Sequence, residues 1–266
     1  WGKLFVHRDR LYLLTITQEY GDLVLFDSPD GGRTWGQPVK IHDAPCHKAP
    51  MPVIEHNGRI WTAFETHPKG GWSTYKSHVL SVPVDTDRMD PANWTATPGL
   101  PINRDWPGML DGVTDPGFIE GNIVVTPDGR LVNVMRYNTE PKWGKAFILN
   151  IDAENPGKME TFNRVIDLNG GMTKFCIHRD TTSGRYLALV NRVTRDFAFQ
   201  RNLLSLVSSP DLIDWKLERD LIDYSNGDRY TDDMRQMVIG FQYVDWQFDG
   251  DDIIAASRTA INGAHN

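Results

Sequence analysis

The feature that most constrains this chain is a phrase repeated along it: an apolar extended run, a tight polar turn, then a second apolar run. The turns are Arg8-Asp9-Arg10, His56-Asn57-Gly58-Arg59, Pro127-Asp128-Gly129-Arg130, Thr182-Ser183-Gly184-Arg185 and Phe248-Asp249-Gly250-Asp251. Asn-Gly and Asp-Gly pairs tolerate positive φ, so each turn closes two antiparallel strands. Copies about 50 to 70 residues apart leave room for one four-stranded sheet each. The phrase places these sheets at roughly 1 to 44, 45 to 100, 117 to 168, 170 to 224 and 238 to 266. The polar stretches 101 to 116 and 224 to 237 read as long loops, and no helical period stands out.

A chain of 266 residues holds one large all-β domain spanning 1–266. Its 28 Lys and Arg against 35 Asp and Glu give a net charge of -7, which argues against a nucleic-acid or anionic-membrane surface. No run reaches the ~18 apolar residues of a membrane span, and no charged-then-apolar leader opens the chain. The chain starts at Trp1 and stops at Asn266 just past a strand, so sequence is expected to be missing at one or both ends. Cys46 and Cys176 read as buried thiols rather than a disulfide framework. Nucleotide-binding glycine motifs, Cys-x-x-Cys and Gly-x-Ser-x-Gly are absent from the sequence, so no cofactor is expected. No metal is expected either: Asp249-Gly250-Asp251-Asp252, and Asp228 with Asp232-Asp233, lack the spacing of a calcium loop.

Within the first repeat, Ser28-Pro29-Asp30-Gly31-Gly32-Arg33-Thr34-Trp35 follows the pattern Ser-x-Asp-x-Gly-x-Thr-Trp, called an Asp box. Asp30 and Ser28 can bind turn amides, the glycines can take positive φ, and Trp35 is expected to anchor the turn on the sheet beneath. A degenerate copy, Ser209-Pro210-Asp211-Leu212-Ile213-Asp214-Trp215, is one residue short. These boxes resemble those of the sialidase (neuraminidase) superfamily. The resemblance implies a β-propeller of five or six four-stranded blades, incomplete here at the chain ends, and a secreted or periplasmic protein.

In such a fold, residues opening the first strand of a blade and closing the second meet at one rim of the central channel. The repeats then collect His47 and Lys48 with Glu65; Glu120 with Arg136; Lys174 with Asn191 and Arg192; Gln242, Tyr243 and Asp245 with Arg258; and Glu19 with Tyr20. The segment from Glu120 to Arg136 is similar to the sialidase phrase in which a glutamate opens a blade and an arginine closes its second strand. The resemblance implies that Glu120 is base toward a tyrosine nucleophile, Tyr243. It implies that Arg136, Arg258 and Lys174 hold a sugar carboxylate, with Arg192 and Gln242 beside them. A phenol of ordinary pKa ~10 needs such a carboxylate neighbour, and guanidinium grips carboxylate bidentately. Arg258 stands eight residues after its turn glycine and Arg136 seven, so one of the two needs a bulge or a shifted turn to face the site.

The expected function is retaining hydrolysis of an acidic glycan, sialic or uronic, with Asp245, Asp115 or Glu65 as acid. The Arg-Ile-Pro phrase that carries the family's first arginine has no counterpart here. Two other classes therefore stand beside hydrolysis: a uronic-acid lyase working through His47 and Tyr243, and a non-catalytic carbohydrate-binding propeller.

Overall fold

The computed structural model describes residues 1–224 and 237–263. Asp228, Asp232, Asp233 and most of the loop 224 to 237 lie outside the described residues.

Among the described residues the repeats fold as five antiparallel sheets in chain order. The first runs β1 (Lys3–His7), β2 (Arg10–Ile16), β3 (Leu23–Ser28) and β4 (Val39–His42). The second has β5 (Cys46–His47), β6 (Ile54–His56), β7 (Arg59–Thr66), β8 (Lys76–Pro83), β9 (Thr95–Ala96) and β10 (Leu100–Pro101). Its first strand is broken: β5 and β6 both pair with β7. The third is β11 (Gly117–Val125), β12 (Leu131–Asn138), β13 (Lys145–Ile151) and β14 (Thr161–Asp167). The fourth is β15 (Cys176–Arg179), β16 (Tyr186–Asn191), β17 (Leu203–Ser209) and β18 (Lys216–Asp223). The fifth is the hairpin β19 (Ile239–Asp249) and β20 (Asp252–Ile261). The turn residues behave as their chemistry requires, with positive φ at Asn57, Gly58, Gly129, Gly184 and Gly250.

Contacts divide the chain into two compact units. One comprises Trp1–Asn103, Phe118–Asn133 and Leu149–Phe162; the other comprises Arg104–Gly117, Val134–Ile148 and Asn163–Asn266. In the first, Tyr12, Leu14, Leu23, Leu25, Cys46, Phe64 and Leu80 form one apolar cluster, and Trp61, Ala63, Val79, Ile123, Leu131 and Ile151 another. A fully buried Leu14 or Leu25 contributes about 1.5–3 kcal/mol relative to exposure. In the second unit, Cys176, Leu189, Leu204, Ile239, Phe241, Val244 and Trp246 pack together. Every residue of β12 is buried and every residue of β18 is exposed. The charges of β18, from Lys216 to Asp223, protect that outer strand from pairing with other chains.

The Ser28–Trp35 turn closes on itself. Asp30 Oδ1 accepts from the Thr34 amide at 2.8 Å, and Ser28 Oγ accepts from the Gly32 amide at 2.8 Å. Trp35 departs from expectation: it stays 38% exposed and donates its indole N–H to the Gly32 carbonyl at 3.2 Å, so it caps its own turn rather than the sheet. Trp215 makes the same bond to Leu212, at 2.9 Å, so the shortened copy reproduces the device.

One glycine is fixed by crowding. A Cβ on Gly171 would lie 2.2 Å from the Lys145 carbonyl oxygen, while the Gly171 carbonyl accepts from the Tyr137 amide at 3.0 Å. Backbone on both sides cannot yield as a flexible side chain can. Gly171→Ala is expected to lower unfolding free energy by about 1–3 kcal/mol, read as a shifted denaturant midpoint. An unshifted midpoint would show that the backbone relaxes freely there.

Candidate functional site

Antiparallel register builds the site of the first unit. His47 lies opposite Glu65 across β5 and β7, and Glu65 lies opposite Ser77 across β7 and β8. Three polar residues therefore stand in one row at the end of the sheet. Glu65 is 1% exposed. A carboxylate so buried must be fully hydrogen-bonded. One oxygen accepts from the His47 ring at Nδ1, 2.8 Å away, and the other from the Gly121 amide at 3.2 Å. The first bond fixes the imidazole with its proton on Nδ1, leaving Nε2 as the basic nitrogen.

Gly121 follows Glu120, which is fully buried and sits at φ 61 in the middle of β11. A left-handed residue inside a strand is strained by about 1–3 kcal/mol and occurs where the surroundings demand that backbone path. Here the path presents the Gly121 amide to Glu65. A Cβ at 121 would lie 2.2 Å from Asn133 Oδ1, so any larger residue would displace the Asn133 side chain. Asn133 in turn donates through Nδ2 to Glu160 at 2.9 Å, and Ser77 donates to the other Glu160 oxygen at 2.6 Å. Burial pushes Glu160 up to about 7, with the Glu65 charge adding to the rise and the Ser77 and Asn133 bonds opposing it.

Aromatic rings stand beside these carboxyls. Tyr75 meets His47 edge-on at 5.7 Å and stacks on His67 at 4.1 Å, with Trp72 at 5.9 Å. Its hydroxyl lies 3.1 Å from that of Tyr20, itself left-handed at φ 57. Burial raises the Tyr75 phenol above its ordinary value; the Tyr20 bond and the charges of Glu65 and Glu120 push the same way. Tyr20, His67 and Trp72 are only half-buried, so the cluster runs from closed carboxyls to partly open rings. Lys48 turns away from it, donating to Thr62 Oγ1 at 3.0 Å and the Ala63 carbonyl at 2.7 Å. Glu19 is exposed.

The second unit brings together a different set. β19 carries the expected bulge: the register passes from Gln242 opposite Arg258 to Asp245 opposite Ala256, an extra residue at Tyr243 and Val244. Tyr243 stands there at φ 52, and the Arg258 guanidinium lies 4.6 Å over its ring while donating to Gln242 Oε1 at 2.9 Å. Lys174 donates to the Val244 carbonyl, and Arg136 donates through Nε to the Met172 carbonyl at 2.8 Å. Arg192 pairs with Asp220 of β18 through two bonds, 3.2 and 2.7 Å. Asn191 serves structure, donating to the Phe241 carbonyl at 2.8 Å. Asp115 offers its backbone carbonyl to Asn138 at 2.8 Å. Asp245 lies with Cys176 and His178.

Sequence reasoning paired His47 with Glu65 but missed Tyr75, His67 and Glu160. His67 directly follows β7, Tyr75 directly precedes β8 and Glu160 directly precedes β14; the last two flank outer strands, which a rule built on the first two strands of each blade does not reach.

No family model matches the chain, and no curated protein matches it in sequence. Solved structures do match in shape. An exo-β-1,3-galactanase from Clostridium thermocellum aligns with a TM-score of 0.60 at 13% identity, over 96% of this chain and 53% of that one. An α-L-arabinofuranosidase from Lactobacillus brevis gives 0.58 at 10% identity, over 98% and 89%. A Hadza microbial sialidase gives 0.56 at 14%, over 83% and 44%. The chain thus spans about half the length of the galactanase. What is shared is the fold, an all-β propeller of antiparallel sheets, three of them four-stranded among the described residues.

Glu160 supplies a test by pH. Its folded pKa is raised, so its contribution to stability is complete below the ordinary carboxylate value near ~4.3 and lost as pH rises through about 7. Wild-type denaturant midpoints should fall between about pH 5 and about pH 8 relative to those of Glu160→Gln, which removes the charge, keeps one oxygen to accept from Asn133 and turns an amide N–H toward the Ser77 hydroxyl. Parallel curves for the two proteins would refute this placement of Glu160.

Proposed function

We propose that this chain is a glycoside hydrolase whose chemistry is carried by Glu120 and the Glu65–His47 pair of the first unit. The observation that carries the reading is the gathering of buried carboxyls, an oriented imidazole and partly open aromatic rings in one cluster. Hydrolysis of a glycosidic bond needs one group to protonate the leaving oxygen and another to activate water or stabilise the oxocarbenium ion. Glu120 serves as the acid. His47, held through Nδ1 by Glu65, serves as the base through Nε2. Glu160 does not reach substrate; its proton keeps a second negative charge from forming near Glu65. Tyr75, His67 and Trp72 offer faces on which a sugar ring stacks. The fold shared with a galactanase, an arabinofuranosidase and a sialidase supports a carbohydrate substrate without choosing the sugar.

A second reading is favoured by Arg258 over the Tyr243 ring, which sets a guanidinium and a phenol side by side. In it Tyr243 is the nucleophile of a retaining hydrolysis, and Arg136, Lys174 and Arg258 bind the carboxylate of an acidic sugar, as the sialidase resemblance implies.

Turnover of aryl β-galactoside, α-L-arabinofuranoside and sialoside by single variants separates the two. Under the first reading Glu120→Gln and Glu65→Gln each lower kcat by about 10²–10⁴-fold, with Tyr243→Phe near wild type. Under the second, Tyr243→Phe abolishes sialoside turnover and the anomeric configuration is retained. Binding of sugars without turnover, or release of an unsaturated product absorbing in the ultraviolet, would overturn both.

A further inference from the structure

A group of side chains in the second unit plays no part in the chemistry proposed for the first. Cys176 and His178 are two residues apart on β15 and so share a face of that strand. Asp245 follows the bulge of β19. Cys176 Sγ lies 3.4 Å from His178 Nε2 and 3.7 Å from Asp245 Oδ1, and the three ligand atoms all lie within 4.8 Å of one another. A tetrahedral zinc ion, with Zn–S of about 2.3 Å and Zn–N or Zn–O of about 2.0–2.1 Å, separates sulfur from its N and O neighbours by about 3.5 Å. Both measured separations from sulfur straddle that value.

The surroundings hold the set in place. The Trp246 ring meets His178 edge-on at 4.5 Å, and its indole N–H donates to the Cys176 carbonyl at 2.9 Å. Cys176 is fully buried, while His178 and Asp245 are half-buried, so the three donors converge with one side toward solvent.

We propose that Cys176, His178 and Asp245 form a three-ligand site for a divalent ion of the zinc class, with water as the fourth ligand. Thiolate with imidazole selects zinc over calcium or magnesium, which prefer all-oxygen sets. Binding transfers the thiol proton to solvent, so affinity rises with pH. The ion ties β15 to β19, strands of two different sheets, and Asp245 then acts as ligand rather than as proton donor to a sugar.

The test uses the full chain, stripped with a chelator and titrated with zinc alone or cobalt alone. One equivalent of either should bind with release of protons and a rise in Tm, and cobalt should give a thiolate charge-transfer band in the near ultraviolet. Cys176→Ser should abolish the band, Asp245→Asn should weaken binding without altering the Tm of the stripped protein, and Cys46→Ser should change neither. Absence of stoichiometric uptake would overturn the proposal and leave a Cys176 thiol hydrogen-bonded to Asp245. A band that survives Cys176→Ser or vanishes with Cys46→Ser would also overturn it. If Cys176→Ser does not fold, unchanged affinity in Asp245→Asn would overturn it by itself.

Discussion

A carboxylate with almost no solvent access cannot stand alone, and Glu65 shows how much structure follows from that. Its two oxygens accept hydrogen bonds, one from the ring of His47 on a neighbouring strand and one from the amide of Gly121 on a strand of the next sheet. To deliver that amide, the chain turns left-handed at Glu120; to let it approach, residue 121 has no side chain; and Asn133 fills the space so left and reaches Glu160. Removing one partner would leave a buried charge uncompensated, which costs far more than an ordinary hydrogen bond contributes. The cluster behaves as one arrangement rather than as separable pairs.

Among the described residues, Glu120 and Tyr243 bend their strands against steric preference, and both are among the residues singled out by sequence for chemistry. Strain of this kind persists only where neighbouring contacts over-determine the backbone. At Glu120 the compensation is the Glu65 bond; at Tyr243 it is the bulge that sets the ring beneath the Arg258 guanidinium. In each unit a kinked strand aims a polar side chain that a regular strand would have placed elsewhere.

The fold was legible because its signals are local. Asn57-Gly58 and Asp128-Gly129 announce hairpins through the φ angles they permit, and the five sheets fall within a few residues of the boundaries they imply. The pairing of His47 with Glu65 was legible for the same reason, since hairpin register sets which residues face each other. Glu160 was not: it reaches Ser77 across 83 residues of sequence through packing alone. Nor was the convergence of Cys176 with Asp245, 69 residues apart, because a lone cysteine on an apolar strand reads as core. Trp35 misled for a further reason: an aromatic after a turn suits sheet packing and turn capping equally, and composition cannot separate them.

The first unit draws on three separated stretches of chain, the last ending at Phe162. A nascent polypeptide emerging from the ribosome therefore carries Glu65 and His47 into solution long before Gly121, and Ser77 long before Glu160. Until the third stretch clears the exit tunnel, the early hairpins hold polar groups whose partners do not yet exist. The order of synthesis thus makes this cluster a late event, complete only once Glu160 has left the tunnel to meet Ser77 and Asn133.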